Sequence, residues 1–196
     1  MNVQLENITC KKTAILESTL RLIKENGFHG TPMSQIAKSA GVAAGTIYHY
    51  FDSKDTLIQS LYLYVKERMS NIIPHQEDDK PYKELFLSFW IAQCEYFIEN
   101  EDVLYFIEQY MTSPYRHCNP ENESKLLSSG VVPFFQRGIN SGYIKNLDYQ
   151  LLVPVIHGSI IAAAKYHLSG RYEFTKDRLR ETALVIWDGI KTPINK

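Results

Sequence analysis

Apolar residues recur at helical spacing along this chain, and Gly, Pro and Thr cut its first third into segments suited only to a small helical unit. Leu16, Leu20 and Ile23 stand at i, i+4 and i+7, which predicts an amphipathic helix over about Thr9–Asn26, stopped by Gly27. Thr31 before Pro32 predicts an N-cap and a first helical residue for a second, short helix with the stripe Met33, Ile36, Ala37 and Ala40. Gly41 ends it, because a tight turn favours a residue that accepts positive φ. A third short helix is expected from about Ala43 to Tyr50, with Val42, Ile47 and Phe51 in the core. Asp52 or Ser53 then caps a fourth, carried by Leu57, Ile58, Leu61 and Val65.

Pro74, Pro81 and the acidic run Glu77–Asp79 mark a loop and a natural boundary. Beyond it, Lys83–Glu99 is apolar on most sides, as a helix at the centre of a bundle would be. Val103, Phe106, Ile107 and Tyr110 stripe the next helix, and Ser113–Asn122 is a loop. Further helices are expected over Glu123–Asn140, Tyr149–Leu168 and Lys176–Ile190, with Pro133 and Pro154 starting or kinking theirs. The fold class is all-α, with about nine helices and no strand pattern. Its expected division is 1–52 for a helix-turn-helix, 53–73 for a connecting helix and 74–196 for a helical bundle.

Net charge is only -1, yet it is unevenly spread: residues 9–72 hold eight Lys/Arg against five Asp/Glu, and residues 73–196 hold thirteen against sixteen. A mildly basic front and an acidic back fit a local nucleic-acid patch on a neutral protein. Three cysteines without paired or zinc spacing argue against a disulfide framework or structural metal. No signal peptide is visible. The most apolar run, Leu151–Ala164, falls short of the roughly 20 residues that span a bilayer. A cytoplasmic protein without membrane attachment is expected.

Three helices with the turn Ser39–Val42 between the second and third form a helix-turn-helix, whose third helix would enter the major groove. The run Gly41-Val42-Ala43-Ala44-Gly45-Thr46-Ile47-Tyr48-His49-Tyr50-Phe51-Asp52-Ser53-Lys54-Asp55-Thr56-Leu57 closely resembles the TetR/AcrR family signature. Upstream, Gly27-Phe28, Thr31, Ile36-Ala37 and Ala40-Gly41-Val42 fit it at the same spacing. The motif covers about the first 60 residues; the rest matches in length and helical layout. The resemblance implies DNA contacts by Thr31, Gly45, Thr46, Tyr48, His49, Tyr50 and Lys54. The chemistry suits them. Thr46 offers a hydroxyl near the start of the recognition helix, Tyr48 and Tyr50 offer phenols to phosphates, and Lys54 offers a point charge. Gly45 lets the backbone come close to DNA. Ala44 departs from the larger polar residue often found there and would meet a thymine methyl.

For the family, the last two long helices pair with those of a second copy. That implies a homodimer here, with Ile156, Ile160, Ile161 and the small residues Gly158, Ser159, Ala162 and Ala163 as candidates, alongside Leu179, Ala183, Ile186 and Ile190. Aromatics crowd the middle helices, and pockets between bundle helices are mostly apolar. Phe89, Trp90, Phe106, Tyr110 and Phe135 are therefore the candidate effector-binding residues. No phosphate-binding glycine loop, nucleophile elbow or His-Glu zinc motif is present, so no catalytic residue, metal or cofactor is assigned. The expected function is that of a repressor released from a palindromic duplex operator by a small apolar effector. An all-α enzyme acting on a small molecule and a ligand-independent architectural DNA binder are the alternatives.

Overall fold

The structure, a computed structural model, describes residues 2–74, 80–118 and 131–193. Its elements are α1 (Asn2–Asn26), α2 (Met33–Ser39), α3 (Ala44–Tyr50), α4 (Lys54–Ser70), α5 (Tyr82–Glu99), α6 (Glu101–Met111), a 3₁₀ turn (Pro114–Cys118), α7 (Val131–Asn140), α8 (Tyr149–Leu168) and α9 (Lys176–Ile190). The described residues are thus all-α. The part of the expected Glu123–Asn140 helix before Val131 lies outside them.

The chain forms two compact units that interleave in sequence: Met1–Lys66 with Asp102–Asn122, and Glu67–Glu101 with Glu123–Lys196. The expected division was linear at residues 52 and 73. The difference arises because the α6 stripe packs with the front of the chain. Phe106 meets Phe28 edge-on at 6.0 Å, and the Gln109 side-chain amide donates to the Ile23 carbonyl.

In the first unit, α1 to α4 close around Ile15, Leu20, Ile23, Ile36, Ile47, Phe51, Leu57, Ile58 and Leu61, all essentially without exposure. Gly27 at φ 68° and Gly41 at φ 67° end α1 and α2 in the left-handed region, which disfavours any side chain. Ser53 caps α4 by accepting from the Thr56 amide at 3.1 Å. The expected cap on α2 is corrected. Pro32, not Thr31, holds the N-cap position, and no side chain caps there. Thr31 is fully buried and its hydroxyl turns back to the end of α1, toward the Gly27 carbonyl at 2.8 Å and the Leu22 carbonyl at 3.2 Å. The hydroxyl is buried but has acceptors, which is why it is tolerated there.

In the second unit, α5 is the central helix, as its all-round apolar character requires: Phe86, Leu87, Trp90, Cys94 and Phe97 have no exposure. α8 and α9 pack on it. Trp90 Nε1 donates to Ser159 Oγ at 2.9 Å, and Glu84 pairs with Arg180 at 3.1 Å. Asp148 caps α8 through the Gln150 amide, and Thr175 caps α9 through the Arg178 amide. By length and composition α8 could cross a membrane, but Leu152, Ile156, Ile160, Ala163 and Ala164 are buried inside this unit.

Candidate nucleic-acid interface and effector unit

α3 has seven residues and spends few of them on the core. Ile47 is buried, and Phe51 just after it is 1% exposed. Val42, expected in the core, is half-buried. What remains is an outward face: Ala44, Gly45, Tyr48 and His49 are exposed, Thr46 and Tyr50 half-exposed. Tyr48 is 54% exposed, a large apolar ring that the unit itself does not cover. Nothing lies within 4 Å of where a Gly45 side chain would begin, so the fold does not demand glycine there. His49 and Tyr50 pack edge to face at 5.5 Å, which fixes their relative orientation.

Lys54, at the start of α4, is half-buried and its ammonium donates to the Phe28 carbonyl. Burial draws its pKa below the ordinary lysine value, opposed by the nearby Asp55 carboxylate. An ammonium carries three donors, so the Phe28 bond leaves others for a second acceptor. Lys54 is thereby tied to the connection between α1 and α2 rather than sweeping freely. Thr31 alone among the eight expected DNA contacts is sealed from solvent, with its hydroxyl committed internally.

The five expected effector residues divide between the units. Phe89, Trp90 and Phe135 are buried in the second unit, where Phe89 and Phe135 meet edge to face at 5.8 Å. Phe106 and Tyr110 belong to the first unit. Tyr110 stacks on Tyr62 at 4.1 Å, and its hydroxyl reaches Gln59 at 3.2 Å. Gln59 in turn donates to the Tyr115 carbonyl, and the Tyr115 ring lies 5.1 Å from Phe28. Sequence periodicity identified α6 but gave no sign that its stripe faces α1 and α4. Cys94 is buried, its thiol pushed up to about 12 by desolvation and then by Glu95. The His157 ring packs edge-on against Phe97 at 5.8 Å.

A second outward face lies on α8. Leu151 is 65% exposed, Val155 63% and Tyr166 47%, with exposed Gly158 and Ala162 between them at helical spacing. On α9, Val185 is 71% exposed. The small and branched residues expected at a pairing face are therefore redistributed. Ile156, Ile160 and Ala163 point inward, as do Leu179, Ala183 and Ile190, while the outward stripe is the one just named.

The description "Bacterial regulatory proteins, tetR family" matches residues 15–61, and "Tetracyclin repressor-like, C-terminal domain" matches residues 81–191. The Fatty acid metabolism regulator protein of Bacillus subtilis is 32% identical over 160 residues, covering 76% of this chain and 79% of that protein. A TetR family transcription regulator of Marinobacter aquaeolei VT8 superposes with a TM-score of 0.88 at 23% identity, over 96% of this chain and 99% of that one. The transcriptional regulator FadR of Bacillus subtilis, solved in complex with stearoyl-CoA, superposes with a TM-score of 0.68 at 24% identity, over 90% and 95%. With the helix-turn-helix presenting α3 outward and both halves of the chain matched, the protein belongs to the TetR family and is a DNA-binding regulator of transcription rather than an enzyme.

Proposed function

We propose that the chain is a homodimeric repressor that holds a palindromic operator and releases it when an acyl-chain amphiphile binds the second unit. The observation that carries responsiveness is the packing of α6 and the 3₁₀ turn on the helix-turn-helix: Phe106 and Tyr115 both rest on Phe28, and the Phe28 carbonyl holds Lys54. The chain passes between the units inside α4 and again at the start of α6. A displacement of either helix is therefore transmitted to groups beside α3. In this reading Ala44, Gly45, Thr46, Tyr48, His49, Tyr50 and Lys54 face DNA, and Thr31 supports them from within.

Phe89, Trp90 and Phe135 form the effector side, while Phe106 and Tyr110 belong to transmission. The amphiphile class is suggested by the stearoyl-CoA held by a protein of similar fold and by the fatty-acid regulator relative. The outward apolar stripe of α8 and α9 is the dimer face. Two recognition helices then meet half-sites about one helical turn apart, ~34–36 Å or somewhat more.

The test is a linked titration on an operator recovered by in-vitro selection. A long-chain acyl-CoA should weaken operator binding by about 5- to 150-fold, and operator must weaken acyl-CoA binding by the same factor. An acyl-CoA that binds tightly yet leaves operator affinity unchanged would refute induction while leaving DNA binding intact.

A further inference from the structure

Arg137 on α7 has a guanidinium nitrogen, Nη2, sealed from solvent with no hydrogen-bond partner among the described residues. Its guanidinium carbon lies 5.8 Å from the Tyr82 ring centre and 5.7 Å from that of Phe134. These two rings stack at 5.1 Å, and Tyr143 stacks on Tyr82 at 5.3 Å. Ring faces attract a cation but offer it no acceptor atom. A buried donor left without an acceptor is costly, so such a group calls for a reason beyond packing.

Among the described residues, the neighbouring side chains do not supply that acceptor. The Tyr82 hydroxyl donates to the Phe134 carbonyl at 3.0 Å. Glu84, on the same helix as Tyr82, is taken by Arg180, and Asp188, beside Trp187, is taken by Lys191 at 2.7 Å. The cage is also specifically seated. A side-chain carbon on Gly138 would fall 2.4 Å from the Tyr82 hydroxyl, so the ring lies against α7 only because residue 138 is glycine. From Phe134 an aromatic wall continues to Phe135 at 5.3 Å and Phe89 at 5.5 Å. A cation with unused donor capacity thus stands at one end of a buried aromatic cluster.

We propose that Arg137 is the anion receptor of the effector unit. It takes the carboxylate or phosphate headgroup of an amphiphile whose apolar part lies along Phe134, Phe135 and Phe89. This rests on the reading of the second unit as the effector-binding unit and adds the chemical class of the headgroup.

The experiment titrates laurate, lauroyl-CoA and neutral dodecanol into the wild-type chain, R137M and R137K by calorimetry, with a thermal melt of each variant. Wild type should bind at least one anionic probe about tenfold or more tighter than dodecanol, as a charge-assisted hydrogen bond implies. Preference for laurate assigns a carboxylate, and preference for lauroyl-CoA alone assigns the phosphates. R137M should lose the preference while keeping dodecanol affinity, and R137K should recover part of it, since an ammonium keeps the charge without the fork. The R137M melting temperature should hold or rise, because a poorly satisfied charge has gone.

A wild type that binds anionic and neutral probes equally overturns the proposal, as does an R137M variant that retains the preference. A lowered melting temperature with preference retained would make Arg137 a structural brace instead. If operator is released by the amphiphile while R137M keeps the wild-type preference, only this proposal fails. If no probe binds wild type, the amphiphile reading fails and this inference with it.

Discussion

Val155→Asp places a charge in the centre of the outward stripe on α8. Val155 is 63% exposed within one chain, so the substitution removes few internal contacts and should change the stability of the isolated chain by within about 0.5 kcal/mol. In a dimer paired through this face the consequences are different. Fully burying a Val side chain contributes about 1.5–3 kcal/mol, and roughly two thirds of that is still available here, so each copy loses about 1–2 kcal/mol. An uncompensated buried carboxylate adds about 3–5 kcal/mol. The symmetry of a two-fold interface enters both penalties twice, giving a total on the order of 8–14 kcal/mol and a dimer undetectable at micromolar concentration. Sedimentation velocity measures this directly, with a thermal melt confirming that the chain remains folded. Operator affinity should fall with dimerisation, because two half-sites are no longer held by one particle. A folded V155D chain that still sediments as a dimer would place the interface elsewhere.

Lys54→Ala should weaken binding to every DNA sequence and flatten the log–log salt dependence by about one unit, read by fluorescence anisotropy at several ionic strengths. Thr31→Val should destabilise the chain by about 1 kcal/mol in urea unfolding, through loss of the hydroxyl held by Leu22 and Gly27, and leave the salt slope unchanged. With its thiol held near 12, Cys94 should resist iodoacetamide at pH 8 until the chain is unfolded, whereas exposed Cys10 should react, as peptide mass spectrometry would show. The Cys94 contribution to stability should be complete below the ordinary thiol value of 9.0 and decline as pH rises from there toward 12, because the folded state holds the proton that the unfolded state releases.

The helix-turn-helix was legible because its signals are local. Gly27 and Gly41 mark left-handed stops, and Ile47 and Phe51 are the only apolar anchors a seven-residue helix needs. α5 was legible because a helix apolar all round has one place to go. Thr31 misled because Thr-Pro reads as a cap and first turn, while the structure turns the same hydroxyl toward carbonyls nine and four residues upstream. The outward face of α8 was hidden for a different reason. Periodicity finds that α8 has apolar residues on several sides, but only packing decides that Ile156 and Ile160 face α5 while Leu151 and Val155 do not. Arg137 carried no sequence signal at all. Its significance depends on two rings 55 and three residues away and on a glycine that admits one of them.

The placement of α6 constrains how an effector could act. A ligand shifts DNA affinity only by its difference in affinity between competent and incompetent shapes, so some element must take distinct positions in the two. α3 itself is a poor candidate: it is short, and Ile47 and Phe51 lock it into a core with no exposure to spare. The Phe28 segment is a better one. It lies between α1 and α2, its ring is clasped by Phe106 and Tyr115, and its carbonyl holds the ammonium of Lys54. Gln59 ties the same cluster to α4 through Tyr110 and the Tyr115 carbonyl. Sliding α6 would therefore move the Phe28 carbonyl and release or re-aim Lys54 without unfolding any helix. The binding energy required is small, since a coupling of about 1–3 kcal/mol is typical and matches one or two hydrogen bonds gained or lost. If an effector acts as proposed, it would loosen a phosphate clamp at the start of α4 as well as change the spacing of two recognition helices. The former would weaken even a single half-site, whereas the latter leaves half-site affinity untouched.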